Sequence, residues 1–262
     1  MVCRRRLREA PMIRFTTRLV IAALFCAAAL TSFTPTTAHA GEKWELISTA
    51  DGVKVYRKEV KGSNMFAFKG VMTANVHFAR VARVFSTSKL RRTWVDRWAA
   101  DKDLKVHNSK ERTYYIRFGL PWPVSDRDYV LNTKATLDVK RRIMTARIRS
   151  VNFPGYGPKS CCVRGKVVGT FYKFEALPGA EKTRLTVEVQ TDPRGLLPAW
   201  LVNLIQKKWP YKTLTGLVRA AKKPNIQNHP DYVDWHTPYK EPAPVAPTVP
   251  AEAPKADKPA TP

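Results

Sequence analysis

Between residues 112 and 191 the chain repeats one pattern five times: a run of alternating apolar and polar side chains, ended by a short link rich in proline, glycine or charge. The runs cover residues 112–118, 128–137, 143–151, 163–174 and 184–191. A period of two gives each run one buried and one wetter face, and links this short join neighbours as antiparallel partners. An antiparallel meander is therefore expected, and its apolar face needs a cover.

The cover is expected at the end of the folded region. Trp200, Leu201, Leu204 and Ile205 share a stripe opposed by Asn203, Gln206, Lys207 and Lys208, and the rhythm runs on through Leu214, Leu217, Val218 and Ala221. This predicts a long helix. Pro198 suits its first turn, and Pro210, which removes an intrahelical hydrogen bond, predicts a kink. Upstream, residues 44–47 and 53–57 flank a turn at Asp51-Gly52, and residues 66–72 read as a further strand. A helix over about 76–85, capped by Thr73 or Asn75, and a second over 86–98 with Leu90, Trp94 and Trp98 in line complete the order. The fold class is α+β: two strands, two helices, five strands and one long helix. If the sheet curls around that helix without filling the space between, an apolar cavity results. Alternation points Tyr129, Leu131, Thr133, Ala135 and Leu137 inward on one strand, Met144, Ala146 and Ile148 on the next, and Leu185, Val187 and Val189 on the last.

The termini are of another kind. Residues 1–40 carry six arginines, an apolar run over 19–30 and a small-residue exit at Ala38-His39-Ala40, with Met12 as an alternative start. This predicts a secretory signal peptide and an exported protein, periplasmic or secreted; the run is too short to span a bilayer. Residues 233–262 read as a Pro/Ala-rich disordered tail, which leaves residues 41–232 as one domain. The formal charge is +25, and setting aside residues 1–40 removes six basic residues and one acidic residue, leaving +20. Such a field draws anionic surfaces. The basic residues are scattered and accompany no nucleic-acid module, so an anionic membrane is the expected partner and nucleic acid is not. Cys161 and Cys162 are adjacent, a pairing that strains the backbone, and are expected as ordinary strand residues. No histidine stands at ligand spacing from them, so no metal or cofactor is expected.

Three motifs carry a family resemblance: Trp94-Val95-Asp96; Pro121-Trp122-Pro123-Val124-Ser125-Asp126-Arg127-Asp128-Tyr129-Val130; and Asp192-Pro193-Arg194-Gly195 with Leu197-Pro198-Ala199-Trp200-Leu201. Together they resemble the START lipid-transfer family, nearest to its phosphatidylcholine-transfer branch, over about residues 44–221. The resemblance implies a helix-grip fold whose last helix closes a tunnel around one lipid, a phospholipid, sterol or other hydrophobic ligand. A gate loop at 152–159 would carry Phe153, Pro154 and Tyr156, with Pro210 as the hinge. The ligand-binding set expected on this basis is Trp94, Tyr115, Arg117, Tyr129, Leu131, Thr133, Met144, Ala146, Ile148, Leu201, Leu204 and Ile205. Phosphate-holding members place an arginine where Thr133 stands here, and Arg117, in phase with Tyr115, is the candidate replacement. Arg127 and Asp128 are expected to pair with each other. A monomeric carrier is favoured over an enzyme, because His77, His107 and Asp96 have no spacing that assembles an acid–base pair. A cavity enzyme and a partner-binding module stay open as alternatives.

Overall fold

The computed structural model describes residues 43–238; the expected signal peptide and the stretch from residue 239 onward lie outside them. The strands are β1 (Glu45–Ala50), β2 (Val53–Lys58), β3 (Ala67–Asn75), β4 (Trp98–Asn108), β5 (Glu111–Phe118), β6 (Asp126–Asp138), β7 (Ile143–Ser150), β8 (Cys162–Arg164), β9 (Lys166–Leu177) and β10 (Lys182–Asp192). They form one sheet in the order β1-β2-β3-β10-β9-β7-β6-β5-β4, with β8 paired to β6. Only the β6–β8 pairing is parallel. The strand β4 was not legible from alternation. Its register shifts three times against β5, so Asp101, Lys102, Asp103 and Lys105 interrupt any period of two. It is an edge strand, where bulges and charge discourage further pairing.

Helix α1 (Phe78–Ser86) is capped by His77, whose Nδ1 accepts the Ala79 N–H at 3.1 Å, rather than by Thr73 or Asn75, which belong to β3. The expected second helix over 86–98 is a single 3-10 element at Ser88–Thr93. Trp94 ends it and Trp98 opens β4, so Leu90, Trp94 and Trp98 do not share one helical face.

Helix α2 (Ala199–Ala221) runs through Pro210 without a break. Two glycines set how closely it approaches its surroundings. A Cβ on Gly70 of β3 would stand 2.8 Å from Pro210 Cβ, and one on Gly216 would stand 2.5 Å from the Trp94 carbonyl oxygen. Beyond Pro210 the helix is firmly seated, with Leu214, Leu217, Ala220 and Ala221 in one core with Phe78, Val81, Ala82, Phe174, Leu185 and Val187. Burying side chains of this size stabilises by roughly 1.5–3 kcal/mol each.

Packing continues past residue 232. Trp235 and His236 are buried, and the Trp235 ring stacks on Phe78 at 4.5 Å, so the expected boundary at 232 falls short. The sulfurs of Cys161 and Cys162 are bonded to each other, in place of two ordinary strand residues. Arg127 and Asp128 do not pair, because successive strand residues point to opposite faces. Asp128 is fully buried and takes two hydrogen bonds from Arg164, at 2.9 and 3.0 Å. Arg127 instead donates to the carbonyls of Ser125, Pro193 and Arg194, tying the β5–β6 connection to the segment before α2.

Replacing Arg164 with Met leaves the Asp128 carboxylate buried without its cation. The expected loss is about 3–5 kcal/mol of unfolding free energy in urea. Arg141→Met, at an exposed ion pair in the β6–β7 turn, leaves the midpoint unchanged.

Candidate functional site

The concave face of the sheet meets the first half of α2 through side chains such as Gln206 and Trp209 but does not close against it. A cavity of about 770 Å³ lies between them. Strand β6 supplies Tyr129, Leu131, Thr133, Ala135 and Leu137 to its wall, β5 supplies Tyr114, Ile116 and Phe118, and β7 supplies Met144 and Ile148. Val167, Thr170, Tyr172, Val189 and Thr191 come from β9 and β10, Phe85 from α1, and Val202, Leu204, Ile205, Gln206, Trp209 and Thr213 from α2. Leu120, Pro193, Leu197 and Lys208 border it where β6 begins and β10 ends.

Of the expected binding residues, Trp94, Tyr129, Leu131, Thr133, Met144, Ile148, Leu204 and Ile205 stand in the wall. Tyr115 and Arg117 do not. The phase of β5 is the reverse of that expected, because tyrosines at 114 and 115 make its two faces look alike. Tyr115 packs on the other face against the Tyr156 ring (5.8 Å) and beneath the Lys159 ammonium (4.9 Å), and Arg117 lies 3.6 Å from Asp126. Ala146 is fully buried in the core beside the wall rather than in it. Leu201 is half-buried and outside the wall, because α2 turns Val202, Gln206, Trp209 and Thr213 inward at i, i+4, i+7 and i+11. Trp200 and Leu204 are correspondingly 68% and 51% exposed.

The loop 152–159 is not at the cavity. Phe153 packs on Tyr156 (6.1 Å) and Tyr156 on Tyr115, Pro154 is exposed, and the Tyr156 and Gly157 carbonyls accept from Arg164. None of the three expected gate side chains joins the wall. Pro210 is buried against Gly70 rather than at an opening.

Arg91 is a buried cation at the cavity that sequence reasoning missed. Its guanidinium lies 4.2 Å from the Tyr114 ring centroid, and it pairs with Asp101 and, at 3.2 Å, with Asp103. Both carboxylates lie on β4, the strand that alternation did not reveal. Tyr114 OH is 3.5 Å from Thr133 Oγ1. Lys212 on α2 bridges to Asp96 at 3.2 Å beside the wall. The indole N–H of Trp94 and the amide oxygen of Gln206 have no hydrogen-bond partner, while Gln206 Nε2 donates to the Thr191 carbonyl at 2.8 Å. His107 lies in β4 against Thr113, away from the wall. Among the described residues no cluster of His, Cys, Asp and Glu could hold a metal.

Burial pushes the phenols of Tyr114, Tyr129 and Tyr172 above the usual tyrosine range, so all three stay neutral hydrogen-bond donors at physiological pH.

A curved antiparallel sheet that grips one helix over an apolar chamber defines the helix-grip class. The chain belongs to the START family: the family model described as START domain matches residues 26–224. An uncharacterised protein of Pseudomonas aeruginosa is 34% identical over 188 residues, covering 70% of this chain and 88% of that protein. The phosphatidylcholine transfer protein of Homo sapiens is 27% identical over 189 residues, covering 71% and 86%. Among solved structures, the STAR-related lipid transfer protein from Xanthomonas axonopodis superposes with a TM-score of 0.60 at 28% identity, covering 69% of this chain and 99% of that one. Human STARD10, at 21% identity, shares the fold with a TM-score of 0.63 over 83% of each chain.

The raised phenols favour the folded state while protonated. Their contribution is complete below about pH 10, the unfolded value, and is lost as pH rises above it. Absorbance titration is expected to show Tyr114, Tyr129 and Tyr172 ionising only together with alkaline unfolding. Phenylalanine at Tyr172 should shift that unfolding to higher pH.

Proposed function

We propose that this protein is a non-enzymatic carrier that holds one lipid in the cavity between β5–β10 and α2. The observation that carries this reading is the cavity itself: about 770 Å³, apolar over most of its wall, in a chain of the START family. Its size falls within the roughly 300–1,000 Å³ usual for small-molecule sites. Apolar surface of the lipid would be taken from water at roughly 25 cal/mol per Å². The similarity to the human phosphatidylcholine transfer protein favours a phospholipid over a sterol. Arg91, Trp94 and Tyr172, all donors at the wall, suit its phosphate and ester oxygens.

The reading includes export and action as a monomer at an anionic membrane. Around the mouth, Trp122 is 93% exposed and Leu196 fully so, and both lie on segments held together by Arg127. Exposed Trp200 and Leu204 add to this apolar rim, and Lys207 and Lys208 follow on the next turn of α2. Aromatic side chains beside lysines suit a lipid interface, and the net charge, +20 without residues 1–40, adds attraction to anionic headgroups. The first half of α2, short of Pro210, would be the part that moves, while the half beyond it stays seated. The rim at 119–125 and 193–198 takes the gate role in place of the loop 152–159.

Native mass spectrometry of the purified full chain should find one lipid per protein. Leu131→Trp, which fills the cavity, should lower uptake of fluorescent phospholipid at least about tenfold without unfolding the protein. An empty wild-type protein that takes up no lipid would sink the reading. The double change Trp122→Ser and Leu196→Ser should weaken cosedimentation with anionic vesicles by about tenfold, and the wild-type binding should fall with salt.

A further inference from the structure

Three of the four histidines among the described residues serve one segment, the stretch that follows α2. His236 Nε2 accepts the Phe78 N–H at 2.8 Å, so the ring hydrogen sits on Nδ1 and is donated to the Leu177 carbonyl at 3.1 Å. His77 Nδ1 accepts the Ala79 N–H, and the two imidazoles meet edge to face with centroids 4.4 Å apart. His229 Nδ1 accepts the Asp231 N–H at 3.4 Å. All three rings therefore act through an unprotonated nitrogen that receives a backbone hydrogen.

What these rings hold down is one end of the cavity. His229, Asp231, Tyr232, Asp234 and Trp235 border the cavity together with Val139 and Arg142 of the β6–β7 turn. That turn is at the opposite end of β6 from Leu120, and β6 (Asp126–Asp138) spans roughly 40 Å at the rise of an extended strand. Tyr232 and Trp235 pack on Phe78 at 5.6 and 4.5 Å, and Gly179 N–H donates to the His236 carbonyl. We propose that residues 229–237 are an acid-released strap: protonating His236 and His77 removes the acceptors of Phe78 and Ala79, sets two cations against each other at the positive end of α1, and frees the strap from the far end of the cavity.

The surroundings of His77 and His229 favour the neutral ring. The N-terminus of α1 carries partial positive charge. Burial lowers His77 below the ordinary histidine range; His236 and Arg80 act in the same direction, while Glu181 in the β9–β10 turn and a hydrogen bond to the Val233 backbone oppose. Burial also lowers His229, with Asp231 opposing and Arg83 assisting. A lowered folded value means that the docked strap is fully stable above the unfolded value of about 6.5 and weakens as pH falls below it. Release of the strap needs no lipid, so it stands apart from the carrier reading.

The test is amide hydrogen exchange of the full chain without added lipid, expressed as protection factors at about pH 7.5 and about pH 5. The expected result is a loss of protection of about tenfold or more at Phe78, Ala79 and residues 231–237 in acid, with β10 unchanged. In the double variant His77→Gln and His236→Gln, whose amide oxygens still accept but do not protonate in this range, the acid response disappears; His107→Gln retains it. Equal protection at the two pH values overturns the proposal, as does a loss that spreads equally to β10 or one that persists in the double variant. Should that variant already be open at neutral pH, a ring titration by NMR in the wild type decides. Strap opening that follows the protonation of His77 or His236 supports the proposal, and opening that follows neither overturns it. Leakage of a preloaded fluorescent phospholipid gives a separate readout, and failure to load speaks against the carrier reading alone.

Discussion

The close approach of α2 to its neighbours at two glycines governs the rest of the molecule. With Gly70 beneath Pro210 and Gly216 against the Trp94 carbonyl, the second half of the helix is pressed into the core at distances that no larger residue permits. The first half of the helix lies over the concave sheet, and the cavity stands between them. Its existence depends on backbone contact outside it as much as on the side chains that line it.

Much of this was legible in the sequence, and the failures have physical causes. Alternation placed β6 and β10 with their faces correctly assigned, because Tyr129, Leu131 and Leu137, or Leu185, Val187 and Val189, stand against partners that are polar except for Val130. It failed on β5, where Tyr114 and Tyr115 give both faces an aromatic side chain, and on β4, where bulges reset the period. The stripe on α2 was only partly in phase. Trp200 is exposed and outside the wall, Leu204 reaches the wall while half exposed, and Gln206 is polar although it faces inward. A rule that equates apolar with inward cannot separate those cases.

The polar equipment of the cavity shows the same separation between motif and role. Thr133 does stand in the wall, but a buried cation comes from Arg91, on a 3-10 turn far from it in sequence, supported by two aspartates of an edge strand. A buried guanidinium needs such partners, since an unpaired charge in an apolar site is strongly disfavoured. Arg91, Asp101 and Asp103 therefore form one unit, and a substitution at either carboxylate alters the cavity without touching its wall.

Arg127 gathers the carbonyls of Ser125, Pro193 and Arg194 into one clasp. The two chain segments beside the opening are thereby compelled to move together, as the two sides of a purse are drawn by one string. A device of this kind acts equally on arrival and departure. If the protein carries a lipid as proposed, loosening the clasp without altering the two end states would change the rates of loading and unloading by the same factor and leave the equilibrium occupancy where it was, so the tempo of exchange is separable from its balance at this residue.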